Sequence, residues 1–81
     1  GKKVTLYPNP SESIISLNLA SIVKFDIEKI QVYNGNGSNV NVHWRKSGNT
    51  ISGNIVHLPK GTYIIRLPID AKPYISRFVK I

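Results

Sequence analysis

Apolar residues in this chain recur at every second position rather than every third or fourth. Val4 and Leu6 alternate with Thr5 and Tyr7. Ile15, Leu17 and Leu19 alternate with Ser16 and Asn18, and Val40, Val42 and Trp44 with Asn41, His43 and Arg45. A period of two places one set on the buried face of a strand and leaves the other in water. The pattern predicts strands over 4–7, 14–19, 30–33, 40–45, 51–58, 62–67 and 74–81. Residues 20–30 support two readings. Leu19, Val23, Ile27 and Ile30 fall near helical spacing, which allows one or two helical turns, whereas Ile30 and Val32 alternate with Gln31 and Tyr33 as a strand does.

The punctuation between these runs is turn chemistry. Pro8 and Pro10 remove two backbone donors around Asn9 and restrict it to extended conformations, so Tyr7-Pro8-Asn9-Pro10 reads as a stiff corner. Asn34-Gly35-Asn36-Gly37 signals a tight hairpin, because Asn and Gly tolerate positive φ. Ser47-Gly48-Asn49 marks another turn, and Gly53 a bulge within its strand. Leu58-Pro59-Lys60-Gly61 has Pro and Gly where a β-turn favours them. About seven short strands at this spacing predict an all-β fold, an antiparallel sandwich of two sheets, with a five-stranded barrel as the alternative.

Composition narrows the class. With 81 residues the chain is expected to form one domain, too small to wall off a dry catalytic pocket easily. Its apolar set is rich in Ile and Val, which suit a pleated surface. No cysteine is present, which removes disulfides and thiolate metal sites, and no run of about 18 apolar residues exists to span a membrane as a helix. No signal peptide opens the chain, so an exported protein of this kind is expected to be a piece cut from something longer.

The net charge of +7 reads either as a solvated surface or as the mark of an acidic partner such as nucleic acid, lipid headgroups or an anionic protein face. Lys2, Lys3, Lys24, Lys29, Arg45, Lys46, Lys60, Arg66, Lys72, Arg77 and Lys80 are spread along the chain without forming a block. That dispersal argues against nucleic acid.

Catalytic and metal chemistry find little support. His43 and His57 form no ligand pair of the HxxxH kind, and Glu12, Asp26, Glu28 and Asp70 are the only acids. No serine lies in GxSxG. The Asn34–Gly37 segment lacks the Lys-Ser/Thr ending of a phosphate loop. Trp44, in phase with Val40 and Val42, is expected in the core rather than on an aromatic platform. No catalytic residue, metal or cofactor is therefore assigned.

Four landmarks in order resemble the C-terminal sorting domain of the Bacteroidetes type IX secretion system. A first strand runs into Pro8-Asn9-Pro10. Ile30-Gln31-Val32-Tyr33 is followed by a turn and Gly37. Leu58-Pro59-Lys60-Gly61-Thr62-Tyr63 leads into an apolar strand, and Arg77-Phe78-Val79-Lys80-Ile81 ends the chain. The family often has Asp where Asn34 stands and a basic residue where Ser38 stands. The resemblance implies an immunoglobulin-like sandwich that works as a secretion signal, not as an enzyme. It implies a cargo fused at the N-terminus and carried through the periplasm, with an outer-membrane translocon and a cell-surface sortase as partners. Residues 1–81 would then be one sorting domain, delivered to the cell surface or outside. Candidate recognition positions are Pro8, Asn9, Pro10, Gly37, Leu58, Pro59, Gly61, Tyr63, Arg77, Phe78, Val79 and Lys80. A structural or carbohydrate-binding sandwich appended to a secreted hydrolase is the alternative, and an exposed row of aromatics would be its mark.

Overall fold

Alternating side chains of this composition bury one face when two sheets close on each other or one sheet closes into a barrel, and the first arrangement is the one found. The computed structural model describes residues 4–19, 26–69 and 73–81. The helical spacing drawn through Val23 lies outside them, as do Lys2, Lys3, Lys24, Asp70 and Lys72. The strands are β1 (Val4–Tyr7), β2 (Ile14–Leu19), β3 (Gln31–Tyr33), β4 (Asn39–Val40), β5 (His43–Ser47), β6 (Thr50–Asn54), β7 (Gly61–Leu67) and β8 (Tyr74–Lys80). One sheet has the order β1-β2-β6-β5 and the other β4-β3-β7-β8, all pairs antiparallel. Lettered A, B, C, C′, D, E, F and G in chain order, these are the ABED and C′CFG sheets of an immunoglobulin-like sandwich.

The core follows the alternation. Ile15, Leu17, Leu19, Ile51 and Ile55 meet Val32, Tyr63, Ile65, Leu67 and Phe78 from the facing sheet, with Ile30, Leu58 and Ile69 closing the ends. Near Ile30 the chain makes a single 3₁₀ turn, Ile27–Lys29, which Asp26 caps by accepting from the Glu28 N–H at 2.9 Å.

Three expectations need correcting. The expected 40–45 strand is two strands: β4 pairs in one sheet, and the chain then crosses so that β5 pairs in the other. Val40, Val42 and Trp44 all remain half-buried against the shared core, so the alternation runs unbroken through the crossing. Eight strands result instead of seven. The second correction is at Gly53, where there is no bulge: it pairs in register with Ile15 and Trp44, and the Trp44 ring lies over it. A Cβ at Gly53 would sit 2.5 Å from Trp44 Cζ3.

The hairpin after β3 falls where the Asn-Gly pairs predict it: the Gly37 N–H donates to the Asn34 carbonyl at 3.0 Å and the Asn34 N–H to the Ser38 carbonyl at 2.9 Å, with Tyr33 paired to Asn39 beyond them. The Asn34 Oδ1 accepts from the N–H groups of Asn36 and Ser38, both at 2.9 Å, and only Gly37 of its two glycines has positive φ. The third correction lies before β7. The hydrogen-bonded turn there is Ile55–Leu58, closed by the Leu58 N–H donating to the Ile55 carbonyl at 3.0 Å. Residues 58–61 are held in another way, through a side chain.

Candidate recognition surface around the last strand

β8 lies at the edge of its sheet. Its partner β7 bonds the backbone groups that face inward, which leaves the outward groups of alternate residues exposed to any chain that would extend the sheet. The Pro8–Ser11 segment occupies most of that edge. Leaving β1, the chain passes through Pro8, Asn9 and Pro10, whose X–Pro bonds are both cis, to the other sheet. Asn9 Oδ1 accepts from the Val79 N–H at 2.9 Å, and Asn9 Nδ2 donates to the Arg77 carbonyl at 3.3 Å. One step on, the Ser11 N–H donates to the Val79 carbonyl and its carbonyl accepts from the Ile81 N–H, both at 2.8 Å. Ser11 forms a parallel bridge with Lys80, is wholly buried, and donates its hydroxyl to the Pro8 carbonyl.

The physical logic is substitution. Flanked by two prolines that lack an N–H, Asn9 offers the edge its side-chain amide, one acceptor and one donor, in place of a backbone rung. The β8 edge is therefore closed from the Arg77 carbonyl to the Ile81 N–H.

The second motif meets β8 from the inside. The Tyr63 ring stacks on Phe78, its cross-strand partner, with centroids 5.4 Å apart and planes 17° from parallel. Its hydroxyl reaches back to the Pro59 carbonyl at 2.6 Å. A tyrosine at the start of the F-position strand bonding the backbone just upstream is the tyrosine corner of immunoglobulin-like folds. This bond holds 58–61 in shape while Leu58 is buried beneath it. Gly61 begins β7 with φ 155°, a value that L side chains rarely adopt, although a Cβ there would meet nothing within 4 Å. The third motif adjoins the second: Asn34–Asn36 and Pro59–Tyr63 line one shallow depression. Gly37, with φ 82°, shapes the Asn34–Ser38 loop.

The twelve candidate positions thus divide by burial. Leu58, Tyr63, Phe78 and Lys80 are buried, the Lys80 ammonium donating to the Ile81 carbonyl at 3.0 Å. Pro8, Asn9, Pro10, Gly37, Pro59, Gly61, Arg77 and Val79 are exposed. The reading missed Ser11, whose only signal is a serine immediately after Pro10.

Elsewhere, an open groove where the chain crosses between the sheets is lined by Val40, Val42, Trp44, His43, Gln31 and Arg66, among others. His57 Nε2 lies 2.7 Å from the Asn41 carbonyl. Among the described residues no group of three His, Cys, Asp or Glu is placed to hold a metal ion, and no helix is long and apolar enough to cross a membrane. Of their aromatic residues only Tyr7 is classed as exposed; Trp44, Tyr33 and Tyr74 are half-buried and Tyr63 and Phe78 buried, so no exposed aromatic row forms.

The family model for the secretion system C-terminal sorting domain matches residues 5–81, from the first strand to the last. The chain belongs to that family. Neither the curated proteins nor the solved structures yield a match. As a type IX sorting domain the chain is a secretion signal, which associates it with a secretion system, an N-terminal cargo and export to the cell surface or beyond. The family is one of sorting signals rather than catalysts. Apart from β1, which pairs in the other sheet, the sorting domain's landmarks come together on the β4-β3-β7-β8 sheet and its edge, with β8 touched by two of them.

Proposed function

We propose that residues 1–81 act as one folded address label. The label trails a secreted cargo that has already reached the periplasm, an outer-membrane translocon recognises it as a folded sandwich, and a surface sortase removes it as the cargo is anchored. The observation that supports this reading is the convergence on β8. Residues far apart in sequence, Asn9, Tyr63 and the 77–81 segment, present one shape only when the chain is folded.

The test is delivery. The chain is fused behind a fluorescent reporter that carries a signal peptide and is expressed in a bacterium with a type IX system. Protease-accessible reporter is expected at the surface, and reporter retained in the periplasm is expected when the translocon gene is deleted. Equal delivery in both strains, or retention in both, would refute the reading. Deleting Arg77–Ile81 is a weaker experiment. It removes Phe78 from the core and all four bonds from the Asn9–Ser11 strap, so it unfolds the label as well as shortening it.

A further inference from the structure

We infer that the outer face of the β3-β7-β8 sheet is a docking face for an acidic, partly apolar protein surface, bound flat rather than by strand addition. The residues on it are fixed by register. Tyr33, Ile64 and Arg77 form one cross-strand row and Gln31, Arg66 and Ile75 the next, with Thr62 and Val79 beyond. Ile75 is 60% exposed, Ile81 52% and Val79 38%. β-Branched side chains left in water together on a sheet face mark an interaction site more often than chance.

The cations of this face in the described residues are both arginines, and none of its side chains there is a carboxylate. Arginine is the cation enriched at protein interfaces, where its planar fork binds carboxylates in pairs. Arg66 is already steadied by Gln31 Oε1 at 3.4 Å, which also accepts the Tyr33 hydroxyl at 2.9 Å. Most guanidinium donors remain for a partner.

The manner of binding follows from the strap. With the β8 edge closed from the Arg77 carbonyl onward, the sheet cannot be extended along that stretch, where Arg77, Val79 and Ile81 instead present their side chains on the face. The occupant follows from charge. A second copy would set arginine against arginine in a chain of net charge +7, whereas an acidic surface complements both. That the acidic partner is part of the export machinery rests on the sorting reading; the choice of face does not.

The experiment compares faces in the same reporter fusion. Ile75→Ser and Arg77→Glu alter the proposed face, and Asn18→Glu, on the outer face of the other sheet, is the control. Melting of each purified chain, followed by Trp44 fluorescence, checks folding, and Arg77→Gln replaces Arg77→Glu if the latter does not fold. The expected result is surface reporter reduced about tenfold by Ile75→Ser with Arg77→Glu, an unchanged control and near-native melting. Unchanged delivery of a folded face variant, while the parent fusion is delivered, overturns the inference and leaves the sorting reading standing. A parent fusion that is never delivered ends both. Arg77-dependent dimerisation by sedimentation, or Arg77-dependent binding to phosphatidylglycerol vesicles, would assign the face to a second copy or to lipid and overturn it as well.

Discussion

The two sheets share a core but not a surface. Outward from β1-β2-β6-β5 point Thr5, Tyr7, Ile14, Ser16, Asn18, Thr50, Ser52, Asn54, His43, Arg45 and Ser47, largely uncharged polar groups. Ser16 and Ser52 even approach each other across the strands at 3.4 Å. Outward from β3-β7-β8 point Ile64, Ile75, Val79 and two arginines beside Gln31, Tyr33 and Thr62, and apart from β1 itself the family landmarks lie in this sheet, along its edge or in the loops beside it. Its partner supplies half of the core and a solvated back. Asn9 and Tyr63 of the sorting motif thus meet the last strand through contacts that only the folded chain makes.

The largest expected effect tests whether the landmark sheet carries the stability. Phe78→Ala removes a fully buried ring together with its stacking on Tyr63. Truncations of this kind cost about 3–5 kcal/mol, a large part of the roughly 4–12 kcal/mol expected for 81 residues. The variant should be mostly unfolded at growth temperature and undelivered; a denaturation midpoint near that of the parent would contradict the core assignment.

A second substitution asks the same of the other sheet. Gly53→Ala places a Cβ against the Trp44 ring, which must tilt away. Overpacking of this sort costs about 1–3 kcal/mol. If the plain sheet is only support, export should fall no further than the folded fraction does. Delivery lost from a chain still folded would give that sheet a recognition role and break the contrast.

Gly61→Val falls next in size. With open space around the Cβ, the cost is confined to a backbone conformation that side chains avoid, about 1–2 kcal/mol. An unfolding free energy in urea lowered by that amount, with export falling in proportion, is expected. A variant of native stability would show that the start of β7 relaxes freely.

What the sequence made legible, and what it hid, divides along the range of the contacts. The faces of β2 and β6–β8 follow from alternation, and the tyrosine corner lies within four residues, inside the Pro-x-Gly-x-Tyr spacing. The crossing between β4 and β5 left no trace, because Val40, Val42 and Trp44 face one core from both sheets. The role of Gly53 depends on a cross-strand neighbour, Trp44, which only the register supplies. Asn9 is the extreme case: the prolines announce a corner, but its partners lie 68 and 70 residues away, and a side chain imitating a backbone rung has no periodicity to betray it.

The smallest effect is the most discriminating, because it separates the two atoms with which Asn9 closes the edge. Asn9→Ala loses both bonds at an exposed position where water partly replaces them, so about 1 kcal/mol is expected. Asn9→Asp keeps an acceptor for the Val79 N–H, the shorter bond at 2.9 Å. It replaces the donor to the Arg77 carbonyl with a second oxygen that repels that carbonyl. If the acceptor is what matters, Asn9→Asp should retain most of the stability lost in Asn9→Ala, and hydrogen exchange at the Val79 amide should stay slow in Asp and quicken in Ala. If the strap needs both atoms, the two variants will exchange alike. Equal protection in parent and Ala variants would mean that Ser11 alone closes the edge. Asn9, free of structural duty, would then be the residue on the landmark sheet's border to test for direct recognition.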